Sequence, residues 1–386
     1  MLFSNFIRTD DQIIRANESE FDFLERCAWP SAASIRLLLE QCLKNYPLIE
    51  QAEIIARIRS GDKRHFTSAI FELFLHEYMI RQGFILTPHP ELPNGSLKRP
   101  DFLVSDSDGQ LFYLEAVCTS ENDGKDSSAE ARKNWALDYI NLRPHHSFMI
   151  AIESTGDPTT QPSGKQLYKF INQWLNSLNP DIVLQEFKIN GYSKLPEISW
   201  KYEKWELFIK AIPLENKLRG THKQLIGILD QGANWVDGWS SIRDAIQYKT
   251  NKYGQLDLPL VVAVNVNTLK LNPIDEMQAL FGQEQFTFNC NALEEPYFSR
   301  APNGAWAGPG GPRGKKCSGA WLFSNLSPYN LVNLRHILYL NPWANFILPQ
   351  SLLKLPHAKV EGNQIKSFDG KSFKEVLNIG ENWLNE

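Results

Sequence analysis

A chain of 386 residues is long enough for two or three domains at about 150 residues each, and it can bury a core without disulfide staples. With 42% apolar and 22% charged residues it is ordinary globular material, which excludes a disordered chain; 23 Gly and 22 Pro are too few for a fibrous one. A formal net charge of −4 excludes an evenly basic nucleic-acid coat. The longest apolar run, residues 258–264, is far shorter than the ~20 residues that cross a bilayer, so no membrane partner is expected. Residues 1–8 lack a signal-peptide pattern, and the 5 cysteines are scattered without a CxxC pair. The expected compartment is the cytoplasm, with reduced thiols.

In chain order, residues 31–45 carry Ile35, Leu38, Leu39 and Leu43 at helical spacing, with Ser31 as the expected N-cap. Residues 47–59 repeat the pattern through Ile49, Ala52, Ile55 and Ile58. A longer helix is predicted over 67–82, closed by Gly83, with Phe71, Phe74, Leu75 and Tyr78 inward. The period then changes to two, which predicts strands at 84–87, 101–105 and 111–118. A helix at 127–141 and a strand at 148–153 follow. The Pro/Gly/Thr-rich stretch 155–164 punctuates the chain. Beyond it come a helix at 165–178, a strand at 206–212, a helix at 242–253 and a buried strand at 258–265. Such alternation implies an α/β (α+β mixed-sheet) protein. Its expected parts are a helical N-terminal extension (1–61), a core (62–180) and a C-terminal α/β region (181–386).

Asp101 and Glu115 are the most informative pair. The turn signal Asp106-Ser107-Asp108-Gly109 sets a hairpin that pairs Ser105 with Leu111, Leu103 with Tyr113 and Asp101 with Glu115. Carboxylates facing each other across strands repel unless a cation lies between them or one is protonated. A hard divalent ion such as Mg²⁺, with Mn²⁺ as the second candidate, suits that arrangement. Glu72 sits inside the apolar stretch 71–75 with His76 one turn later, and such a carboxylate invites a partner more than Glu77 does.

Glu72, Arg99-Pro100-Asp101 and Leu114-Glu115-Ala116-Val117, in that order, resemble the PD-(D/E)xK nuclease superfamily. The resemblance spans roughly residues 65–153 and implies a restriction-endonuclease-like core. It implies that Asp101, Glu115 and Glu72 bind Mg²⁺ and activate a water against a phosphodiester. Its lysine, two residues after the strand glutamate, is replaced here by Val117. Some members of the superfamily bring that lysine from elsewhere. Lys133, on the next expected helix, is the first candidate, followed by Lys249 and Lys98. More of the chain, including 71–78, 100–119, 242–265, 279–282 and 341–344, is similar to a bacterial protein family that brings no activity with it.

Charge is unevenly placed. Residues 101–130 hold eight acids and the single base Lys125, whereas 296–360 hold seven bases and no acid. Within the latter, 302–316 is a Gly/Pro-rich loop whose Arg313, Lys315 and Lys316 suit phosphates and whose Trp306 suits stacking on a base. The expected partner is therefore nucleic acid, DNA before RNA, with pairing of two chains as a further expectation. The alternatives are an inactive nuclease-like core that only binds nucleic acid and a protein-interaction module. Cys118 with His145-His146 reads as a buried thiol and a turn, not a nucleophile and its base.

Overall fold

The computed structural model describes residues 1–15, 17–120, 127–230, 238–267, 271–287, 297–362 and 364–384. The chain divides into two compact units. Met1–Asp11, Ser19–Asp123 and Asp237–Glu386 form the first, and Gln12–Glu18 with Gly124–Val236 form the second. The divisions expected at residues 61 and 180 differ from these. The N-terminal helices share the first unit's core, and residues 124–236 interrupt that unit in sequence.

The first unit opens with α1 (Glu20–Arg26), α2 (Pro30–Asn45), α3 (Gln51–Arg59) and α4 (Lys63–Arg81). Pro30 occupies the first turn of α2, so Trp29 and not Ser31 stands at its N-cap. Residues 47–50 form a turn before α3, which leaves Ile49 exposed. Asp62 caps α4 through the N–H groups of Arg64 and His65, so this helix starts four residues earlier than expected. From Phe66 to Met79 it is buried on nearly every side, as a central helix must be.

β1 (Ile85–Pro88), β2 (Phe102–Ser105) and β3 (Leu111–Ser120) then form an antiparallel meander. Its register is the expected one, Ser105 facing Leu111 and Leu103 facing Tyr113. Asp106 fixes it by accepting from the N–H groups of Asp108 (3.0 Å) and Gln110 (2.8 Å), while Gly109 takes a positive φ of 76°. A slip by one residue would turn Glu115 to the other face.

The second unit contains α5 (Ser127–Asn141), β4 (Phe148–Thr155), α6 (Gly164–Ser177), α7 (Pro180–Asn190), β5 (Glu197–Tyr202), β6 (Trp205–Pro213) and β7 (Ile226–Asp230). Its four strands form a separate sheet in the order β5-β6-β4-β7, with its own core around Ile140, Ile152, Ile171 and Leu207. Thus the helix at 127–141 and the strand at 148–153 exist, but they belong to this sheet and not to the one that carries the carboxylates.

The first unit resumes with α8 (Gly238–Asn251) and β8 (Leu260–Asn267). β8 lies parallel to β3, Glu115 beside Val262, and its unbroken apolar run suits a strand covered on both faces. Next come α9 (Pro273–Phe281), β9 (Glu284–Thr287), β10 (Tyr297–Arg300) and the short pair β11 (Ala307–Gly308) and β12 (Gly311–Pro312). β13 (Gly319–Ser324), β14 (His336–Leu340), β15 (His357–Glu361), β16 (Gln364–Phe368) and α10 (Phe373–Leu377) complete the chain. The eight-stranded sheet runs β1-β2-β3-β8-β13-β14-β15-β16 and mixes parallel with antiparallel pairs, so the fold is α/β with a large mixed sheet. Among the described residues no helix is long and apolar enough to cross a membrane. Cys27, Cys42 and Cys317 are free thiols buried in the core, and Cys290 lies outside the described residues.

The two faces of this sheet carry different cores. Phe112, Leu114, Ala263 and Phe323 pack with α1–α4 and α10. Tyr113, Val262, Val264 and Leu322 pack with α8 and α9. Behind α4, the ring of Tyr78 stacks on Phe373 of α10 with centroids 4.2 Å apart. α10 is short and depends on a reciprocal cap, Ser372 with Glu375. Ser372→Ala removes the hydroxyl half of that cap. It is expected to lower unfolding stability by about 1 kcal/mol, read as an earlier midpoint in urea at unchanged slope.

Candidate active site

Two local features bring Asp101 and Glu115 together. Asp101 directly precedes β2, and Glu115 lies opposite it in β3. Odd-numbered positions of the hairpin, Leu103, Tyr113 and Val117 among them, face α8. The Asp101 N–H donates to Glu115 Oε2 at 3.2 Å, and Asp101 Oδ2 accepts the Ala116 N–H at 2.6 Å. Asp101 is half-buried and Glu115 is fully buried.

A bare carboxylate at that depth would cost several kcal/mol. The C-terminal end of α8 supplies what it needs. Lys249 Nζ donates to Glu115 Oε1 at 2.5 Å, and Lys252 Nζ to the same oxygen at 3.0 Å. The Tyr253 hydroxyl donates to Oε2. Residues 249, 252 and 253 stand three and four apart, so they project from one side of the helix end. Lys249 thus brings a cation to Glu115, whereas Val117 packs into the core against α8.

The electrostatics follow from this crowding. Asp101 is pushed up to about 7, first by burial and then by the negative charges of Glu115 and Glu72, with Lys249 pulling the other way. Burial and Glu115 together push the Tyr253 hydroxyl up, so it stays protonated and remains a donor.

Glu72 is not brought to this pair as a third ligand. It belongs to α4, on the opposite face of the sheet, where Tyr46 donates to Oε1 at 2.7 Å and Arg57 to Oε2 at 2.8 Å. Its charge still acts on Asp101. His76 is buried beside Tyr46 with an unpartnered Nδ1, and burial pulls its pKa down to about 4, so it is neutral. Glu77 is engaged by Asn45 and Arg81.

Lys133 lies on α5 in the second unit, where it pairs with Asp157 at 2.6 Å. The Gly/Pro-rich loop is also different from expectation. Trp306 is fully buried, packed edge-on against Phe281, and cannot offer its face to a base. Arg313 is a brace, with Nε and Nη2 both donating to the Gly304 carbonyl at 2.9 and 2.5 Å. Lys315 is exposed and Lys316 half-buried. Elsewhere in the acid-free stretch, Arg335 is spent on the buried Glu276. Glu121, Asp123, Lys125 and Asp126 lie outside the described residues.

Lys252 and Tyr253 are contacts of Glu115 that sequence reasoning missed. The run Lys249-Thr250-Asn251-Lys252-Tyr253 at the end of an amphipathic helix is the signal that could have found them. Among the described residues no group of three or more His, Cys, Asp or Glu is placed to hold a metal ion. Asp101 and Glu115 bring two carboxylates to one point. That number fits Mg²⁺, which uses one or two carboxylates and otherwise keeps its waters. No family model, curated protein or solved structure matches the chain.

Proposed function

We propose that the chain is a cytoplasmic, divalent-metal-dependent nuclease that hydrolyses phosphodiester bonds, DNA before RNA. One observation carries the reading. Lys249 of α8 reaches Glu115 beside Asp101, so two carboxylates and a lysine stand together although the lysine is distant in sequence. The order α4, β1, β2, β3, α8, β8, with β8 parallel to β3, supports the expected restriction-endonuclease-like arrangement once residues 124–236 are set aside as an insertion.

Asp101 and Glu115 would hold Mg²⁺ or Mn²⁺, which when bound makes a coordinated water more acidic and offsets charge on the phosphate. Lys249, held in place by Glu115, presents an ammonium to orient the attacking water and to meet negative charge developing on the phosphate oxygens. Tyr253 fixes the other oxygen of Glu115, so that the carboxylate cannot swing away. Glu72 acts at a distance, by raising the affinity of Asp101 for a cation. Lys315 and Lys316 are positions for the nucleic-acid backbone.

Plasmid, single-stranded DNA and RNA are expected to be cut in Mg²⁺ or Mn²⁺ and left intact with a chelator. Asp101→Asn is expected to remove the cutting. Absence of cutting of all three by the wild-type chain in either metal overturns the nuclease reading. A second reading has its own observation: Lys249, Lys252 and Tyr253 already satisfy both oxygens of Glu115. A core that only binds nucleic acid would show salt-sensitive binding, unchanged by Asp101→Asn and without metal-dependent cleavage.

A further inference from the structure

α8 also lines an open groove of about 530 Å³, walled by Lys98, Asp244, Gln247, Tyr248, Asn251 and Lys252. Asp244 and Tyr248 stand four apart on α8, as do Gln247 and Asn251, so the helix presents them as one face, and Lys252 follows in the turn that ends it. Lys252 joins the groove to the carboxylates: it lines the wall while its ammonium rests on Glu115. Tyr248 is 68% exposed, so the hydrophobic core makes little use of it. Asp244 is the single acid of the wall, and Arg243 holds it at 2.7 Å.

Two lysines, two amides and one open aromatic ring make a wall for a ligand with both phosphates and planar faces. A duplex offers phosphates, but its base faces are stacked on one another. Only a base outside a stack can lie on a tyrosine ring. We infer that this groove takes unpaired nucleic acid, with a base stacked on Tyr248 and the flanking phosphates held by Lys98 and Lys252. The inference deepens the nuclease reading, on which it rests for the neighbouring chemistry, by naming single-stranded or locally unpaired strands as the substrate.

The test uses the full chain with a chelator present, so that binding is measured without cutting. One labelled sequence is offered as single-stranded DNA, as single-stranded RNA and as DNA duplex, and binding is followed by fluorescence anisotropy. The wild type is expected to prefer the unpaired forms, and the stronger of the two shows which sugar the groove favours. Tyr248→Ala is expected to weaken unpaired binding roughly 5- to 100-fold and to leave duplex binding unchanged, whereas Tyr248→Phe keeps the ring and stays within about twofold. Lys98→Ala is expected to flatten the salt dependence. Preference for duplex, wild-type affinity in Tyr248→Ala, or no binding of any form overturns the inference. Duplex cutting that Tyr248→Ala leaves intact overturns the groove and spares the nuclease. Tyr248-dependent binding without cutting by the wild type in any metal supports the groove and overturns the nuclease.

Discussion

Lys249→Met is expected to lower metal-dependent cleavage by about 100- to 1,000-fold, the usual cost of removing a positioned electrostatic donor. Methionine keeps most of the length and the apolar stem of lysine and removes only the ammonium. Glu115 would still be held by Lys252 and Tyr253, so the variant is expected to fold, and a melting curve near that of the wild type checks this. Lys133→Ala serves as the internal comparison. Lys133 of α5 pairs with Asp157, just beyond β4 in the second unit, and its removal is expected to leave the cleavage rate within about twofold, since an exposed pair contributes little. Initial rates on one substrate measure both variants. Full activity in Lys249→Met would detach the lysine from the chemistry, and loss of activity in Lys133→Ala would move it to α5.

The contrast between those two lysines shows what sequence can and cannot disclose. The hairpin was legible because its determinants are local: Asp106 and Gly109 make the turn, the turn sets the register, and the register places Asp101 against Glu115. The partner of β3 was not legible, because local pattern identifies a helix followed by a strand without saying which sheet it joins. Residues 127–153 carry that pattern directly after the hairpin, yet α8 and β8 fill the role after an insertion of more than a hundred residues. Periodicity correctly gave α4 an apolar face that includes Glu72. It could not reveal that this face covers the side of the sheet remote from α8, where Arg57 and Tyr46 satisfy the carboxylate. Trp306 misled for a related reason. A tryptophan among glycines and prolines reads as a loop tip, but the N–H groups of Ala305 and Trp306 donate to the carbonyls of Ala279 and Leu280 at 2.7 and 2.8 Å. Those two bonds stitch the segment to the end of α9 and bury the ring.

The raised pKa of Asp101 implies a cost of holding its charge in the folded chain, and that cost can be measured without any substrate. A carboxyl with a folded pKa near 7, against about 3.9 when unfolded, binds its proton more tightly in the folded state across that window. Stability therefore falls as pH rises from about 4 to about 7, and it is lowest once Asp101 is ionised. Asparagine carries no charge and can still accept the Ala116 N–H. Asp101→Asn is expected to melt at nearly the wild-type temperature at and below about pH 4, and to gain on the wild type progressively as pH rises from about 4 to about 7, with the full gain present above about pH 7. Magnesium supplies the second arm. At pH 8 it should raise the melting temperature of the wild type, because an ion that binds only the folded state stabilises it, and should leave Asp101→Asn unmoved. A pH-independent difference between the two proteins would show that Asp101 is not held against its charge. Equal stabilisation of both by magnesium would place the ion away from Asp101.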